Sequence, residues 1–157
     1  MHAEYTKSFF AKYIEKTRYK AIVQDRRLFL AQLDKTITDL FGIDYGNGGV
    51  CLTSRSLKHL FDKKPAEEFL FVMGNLYSIL KYPTKVYKNK DNRRGQYCVV
   101  AKIDGDEYFC ALEVDEKSDK EVYIPTAFRL RDDKYLNNYT LLWDWGNGGP
   151  HRHTLNP

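Results

Sequence analysis

Apolar residues recur along this chain in two rhythms, and the rhythm changes near Pro83. Before it the spacing is helical. Residues 4–17 and 26–41 read as helices; in the second, Leu28, Phe29, Leu33, Ile37, Leu40 and Phe41 fall on one helical stripe, and Gly42 stands where a helix stops. Asp44 to Gly49 is loop chemistry, and Val50 to Leu52 a short strand. Ser54 then stands as the N-cap of a short helix carrying Leu57, Lys58, His59, Leu60 and Phe61. Pro65 opens a longer helix at its first turn, where Glu67 and Glu68 meet the positive end of the helix dipole. Phe69, Val72, Met73, Leu76 and Leu80 line one side of that helix, and Pro83 ends it.

After Pro83 the period falls to two. Strands are expected near 84–90, 96–103, 107–114, 120–128 and 139–145, with turns at Asp91 to Gly95 and at Asp104-Gly105. Asp-Gly is a strong signal for a two-residue hairpin loop, and it fixes a register. Lys102 then faces Glu107, Val100 faces Phe109 and Cys98 faces Ala111 on one face. Ala101 with Tyr108, Val99 with Cys110 and Tyr97 with Leu112 share the other. The expected class is α+β, with N-terminal helices packed on a four- to five-stranded antiparallel β-meander. Residues 1–53 are expected to form a helical extension or cap, 54–145 the helix pair and meander, and 146–157 a flexible tail.

Composition adds little until the charges are located. With 43% hydrophobic and 29% charged residues the chain reads as an ordinary soluble globule. Its three cysteines have no CxxC spacing, which gives neither a disulfide framework nor a zinc site. No signal pattern and no long apolar run is present, so a cytoplasmic protein without membrane contact is expected. The net charge of +4 is mild, but residues 81–102 hold seven cations against Asp91, and residues 103–121 hold eight acids against Lys117 and Lys120. A cationic edge of this kind can grip phosphates. Lysines on an edge strand also guard against aggregation, and that alternative stays open.

Cleaving RNA without a metal needs a base for the 2′-hydroxyl proton, an acid for the leaving oxygen and cations for the developing charge. His59 could serve as base or acid, since imidazole titrates near neutrality. Lys85, Lys88, Arg93, Arg94 and Arg129 are the available cations, and adjacent Arg forks suit bidentate phosphate contact. Thr126 could donate a hydrogen bond to a phosphate oxygen. No metal-ligand spacing or Gly-rich nucleotide loop is found, and no cofactor is expected.

Three features in order carry a family resemblance: His59 within Lys58-His59-Leu60, a helix ending at a proline before a basic strand, and Thr126-Ala127-Phe128 late in the meander. In this, residues 54–145 resemble the Barnase–EndoU–colicin E5/D–RelE-like (BECR fold) nucleases, in their phage-associated and polymorphic-toxin branch. The resemblance implies two helices before an antiparallel sheet and metal-independent endoribonuclease activity, often on tRNA, by 2′-hydroxyl transesterification. It implies His59 and Thr126 as the active-site pair, with Lys88 or Lys85 and Arg129 holding phosphate. RNA is the expected partner, and an acidic neutralising protein of the immunity or antitoxin kind is a further one. Two other functions remain open. One is a non-catalytic nucleic-acid-binding module that stacks bases on Tyr82, Tyr87 and Tyr97. The other is a protein-binding module that uses the acidic 103–121 hairpin.

Overall fold

The fold comes from a computed structural model that describes residues 2–63, 65–91, 96–115 and 121–146. It is α+β. The elements are α1 (His2–Tyr13), β1 (Arg27–Gln32), α2 (Lys35–Phe41), β2 (Gly49–Thr53), α3 (Ser54–Lys63), α4 (Ala66–Lys81), β3 (Lys85–Asn89), β4 (Tyr97–Ile103), β5 (Asp106–Val114), β6 (Val122–Tyr123), β7 (Ala127–Leu130) and β8 (Tyr139–Asp144). The eight strands form one sheet in the order β1-β2-β6-β5-β4-β3-β8, with β7 also paired to β5. All pairs are antiparallel except β2 with β6.

The strand count exceeds the expected four or five because residues 27–53, expected as part of a helical cap, enter the same sheet. The helix expected over 26–41 is a strand followed by a short helix. Arg27–Gln32 finds a partner in β2, with a bulge between Phe29 and Ala31, and cross-strand pairing overrides the helical spacing. Asp34 then caps α2 by accepting from the Thr36 N–H at 3.0 Å, and Gly42 closes it at φ 70°. The apolar stripe over 26–41 runs across this cap.

The meander follows its expected register. All six cross-strand pairs expected between β4 and β5 are present. Asp104 and Gly105 carry positive φ of 52° and 86°, as a type I′ hairpin loop requires. The strand expected over 120–128 is two, β6 and β7, separated by Ile124-Pro125-Thr126, because Pro125 has no N–H for a ladder. The turn at 92–95, residues 116–120 and the tail from residue 147 lie outside the described residues.

The helices cover one face of the sheet, packing on Val86, Val99, Ala101, Tyr108, Cys110 and Leu112. The five residues expected to line α4 are all buried there, and Ile79 joins them. On the far face Tyr87, Cys98, Val100, Phe109, Ala111 and Leu130 form a second cluster, packed against Phe128, Leu136 and Tyr139. Cys98 and Cys110 therefore sit on opposite faces as free thiols. Ser54 is fully buried, but its role differs from the expected cap. Its hydroxyl donates to Gln24 O at 2.6 Å and accepts from the Arg26 N–H at 2.9 Å, stitching the strand-entry loop to α3. The cap is Thr53, whose Oγ1 accepts from the Ser56 N–H at 3.1 Å.

Candidate functional site

The residues singled out by sequence occupy three places. His59 is exposed on α3, on the side of the helix opposite the buried Leu57 and Leu60. Its neighbour Lys58 is the buried cation of that helix, and its ammonium donates to Arg18 O at 2.5 Å and to Asp62 Oδ1 at 2.8 Å. Thr126 lies at the step between β6 and β7, where its carbonyl accepts from the Ala111 N–H at 2.9 Å. Arg129 on β7 pairs with Asp106 at 3.0 Å, while Arg131 pairs with Glu68 of α4 at 2.9 Å.

Lys85 and Lys88 lie on β3, which is an interior strand between β4 and β8. The expectation of a cationic sheet edge is corrected here, and edge protection cannot explain lysines on an interior strand. β1 and β8 end the strand order, and β7 is paired on one side only, with β5. Lys85 pairs with Val100 on the far face and Lys88 with Tyr97 on the helix face, so one phosphate cannot touch both. β3 stands four strand steps from β2, whose end leads into α3; at ~4.8 Å per step that is roughly 19 Å. Arg93 and Arg94 lie outside the described residues.

One pairing brings the approach to α3 beside the approach to Thr126. β2 and β6 run parallel, with Val50 opposite Val122 and Cys51 opposite Tyr123. The pairing ends there: the β2 chain turns into α3 at Ser54, and the β6 chain steps through Ile124-Pro125-Thr126 to β7, which pairs with β5. The α3 side chains Arg55 and His59, both exposed, follow within the next two turns.

Of the tyrosines considered for base stacking, Tyr87 is buried in the far-face cluster, and burial pushes its hydroxyl up to about 12. Tyr97 is stacked on Phe41 at 3.9 Å between ring centroids. Tyr82 is 37% exposed, in the wall of a groove of about 850 Å³ that also includes Asn75, Ser78, Lys85, Lys102 and Gly146. The acidic hairpin is partly occupied within the chain. Asp106 is held by Arg129, and Glu121 takes both Arg27 at 2.5 Å and the Tyr123 hydroxyl. That hydrogen bond, reinforced by burial, pushes Tyr123 up to about 12.

Sequence reasoning passed over the β8 edge. Its residues Tyr-Thr-Leu-Leu-Trp-Asp lack the lysine or proline that usually protects an edge strand, and that was the available signal. Leu141 is 49% and Trp143 45% exposed. Among the described residues no group of three or more His, Cys, Asp or Glu could hold a metal ion, and no helix is long and apolar enough to cross a membrane. No family model, curated protein or solved structure matches the chain.

Proposed function

We propose that the chain is a metal-independent endoribonuclease of the toxin or phage-effector kind, working in the cytoplasm through His59 of α3 and Thr126 before β7. The parallel β2–β6 pair is what supports this reading most, because the strand that leads into α3 runs beside the strand that leads to Thr126. The order of a helix pair before an antiparallel sheet, α3-α4 then β3-β4-β5-β7, supports it further.

In this scheme His59 takes the proton from the 2′-hydroxyl, and the 2′ oxygen attacks phosphorus. The bond from phosphorus to the 5′ oxygen breaks, and that oxygen takes a proton from water. The products are a 2′,3′-cyclic phosphate and a 5′-hydroxyl. Thr126 donates to a non-bridging oxygen, and Arg129 exchanges Asp106 for the phosphate. An acidic neutralising protein would compete for the same cations. Lys88, on β3, acts on a flanking part of the strand in this scheme and takes no part in catalysis.

A second reading, binding without cleavage, is favoured by the outward position of His59 on α3. Incubation with total RNA in EDTA separates the two. Cleavage by the wild type, with a loss of about 10²-fold or more in both His59→Ala and Thr126→Val, is expected. Undiminished cleavage by His59→Ala removes that residue from the mechanism; binding with no cleavage by any form establishes the second reading.

A further inference from the structure

The helix-side face of β3 and β8 pairs a cation with an exposed indole. Lys88 is exposed on that face and makes no ion pair or side-chain hydrogen bond with the described residues. Trp143 lies opposite Val86, two residues along β3 from Lys88 and on the same side. A bulge in the pairing beside Val86 turns both Leu142 and Trp143 toward this face. Trp145 packs its ring edge-on against Trp143, at 6.3 Å between centroids and 66° between planes, which props the indole while leaving it 45% exposed. The β3 and β8 side chains on this face include no carboxylate, because Asp144 pairs with Lys85 on the far face.

An exposed indole beside an ammonium that no described residue pairs matches the two needs of single-stranded nucleic acid: a plane for a base and a cation for a phosphate. The β8 backbone edge could instead accept a protein strand, but the absence of a carboxylate among the β3 and β8 side chains of this face favours a polyanion. We propose that Trp143 and Lys88 form a binding subsite for single-stranded RNA, the base stacking on the Trp143 indole and the adjoining phosphate on the Lys88 ammonium. The subsite rests on the reading that RNA is the ligand. It stands apart from His59 and Thr126 and needs no chemistry there.

The test uses a fully 2′-O-methylated oligoribonucleotide, which has no 2′-hydroxyl to attack, so a failure of cleavage cannot obscure it. Labelled oligomer is followed by anisotropy and the protein by indole fluorescence, with urea midpoints confirming that each variant is folded. The wild type is expected to bind with quenching. Trp143→Leu is expected to lose most of the quenching and to bind roughly 5- to 150-fold more weakly. Lys88→Gln is expected to keep the quenching, bind several-fold more weakly and lower the salt dependence by about 0.7 in logarithmic slope. Wild-type affinity and quenching in both folded variants overturn the proposal. So does self-association of the wild type that Trp143→Leu abolishes without any oligomer binding, which would make β8 an interface between copies.

Discussion

Replacing Ser54 by Ala tests whether α3 is held in place by the loop that leads into β1. The Ser54 hydroxyl makes two hydrogen bonds, to Gln24 O at 2.6 Å and from the Arg26 N–H at 2.9 Å, while the backbone Ser54 N–H donates separately to Arg26 O at 2.8 Å. The substitution leaves the backbone bond and removes the other two. Each lost bond costs about 1 kcal/mol net, because Gln24 and Arg26 are exposed residues whose backbone groups can be rehydrated in part. The sum is about 2 kcal/mol, a sizeable part of the ~5–15 kcal/mol expected for a whole domain. For a chain of this length it corresponds to a fall in Tm of roughly 4–8 °C. Urea denaturation gives the free energy, and limited trypsin digestion gives its location, since Arg18, Lys20, Arg26 and Arg27 lie in or beside the loop. The expected variant is destabilised by that amount and cut first at these sites. A loss below about 0.5 kcal/mol with an unchanged digestion pattern refutes the reasoning.

Further outcomes follow from other groups. Burial raises the Asp62 carboxyl, but hydrogen bonds from the Lys58 ammonium and the Lys20 N–H, with the Lys58 and His59 charges, outweigh it and hold the pKa below its ordinary value. Its stabilisation is therefore present above the unfolded value of about 3.9 and is lost as pH falls through the lower folded one, so Asp62→Asn should flatten the acid side of a plot of urea midpoint against pH. Burial pushes the Cys98 and Cys110 thiols well up, and a disulfide-exchange reagent should label half-buried Cys51 in the native protein while those two react only on unfolding. Gly105→Ala meets no neighbouring atom, yet a side chain at φ 86° is strained, and a loss of about 1 kcal/mol by urea denaturation is expected.

The second half of the fold was more legible than the first because its signals are short-range. Asp104-Gly105 sets the β4–β5 register within the hairpin itself. Over 27–41 the local spacing misleads, because the strand there is defined by a partner about twenty residues on, and because Phe29, one of the residues on the apolar stripe, is 61% exposed. Charge counting found the cations but not the faces they occupy. A period of two already places Lys85 and Lys88 on opposite sides, so that separation was available from spacing alone. Whether β3 lay inside the sheet was not, since β8 returns to pair with it from fifty residues away. For His59 the helical period was informative: Leu57 and Leu60 turned inward imply that His59 turns outward. That the strand before Thr126 runs beside the strand before α3 has no local signal, because β2 and β6 pair across some seventy residues.

The nature of the product ends tests the central claim most directly. A defined oligoribonucleotide is incubated with the protein in EDTA and the fragments are weighed by mass spectrometry, beside the same oligomer carrying 2′-deoxy at the cleaved position. The account predicts 2′,3′-cyclic phosphate and 5′-hydroxyl ends from the first and no cut at the substituted position. Fragments bearing 5′-phosphate, or cutting that ignores the missing 2′-hydroxyl, would contradict it.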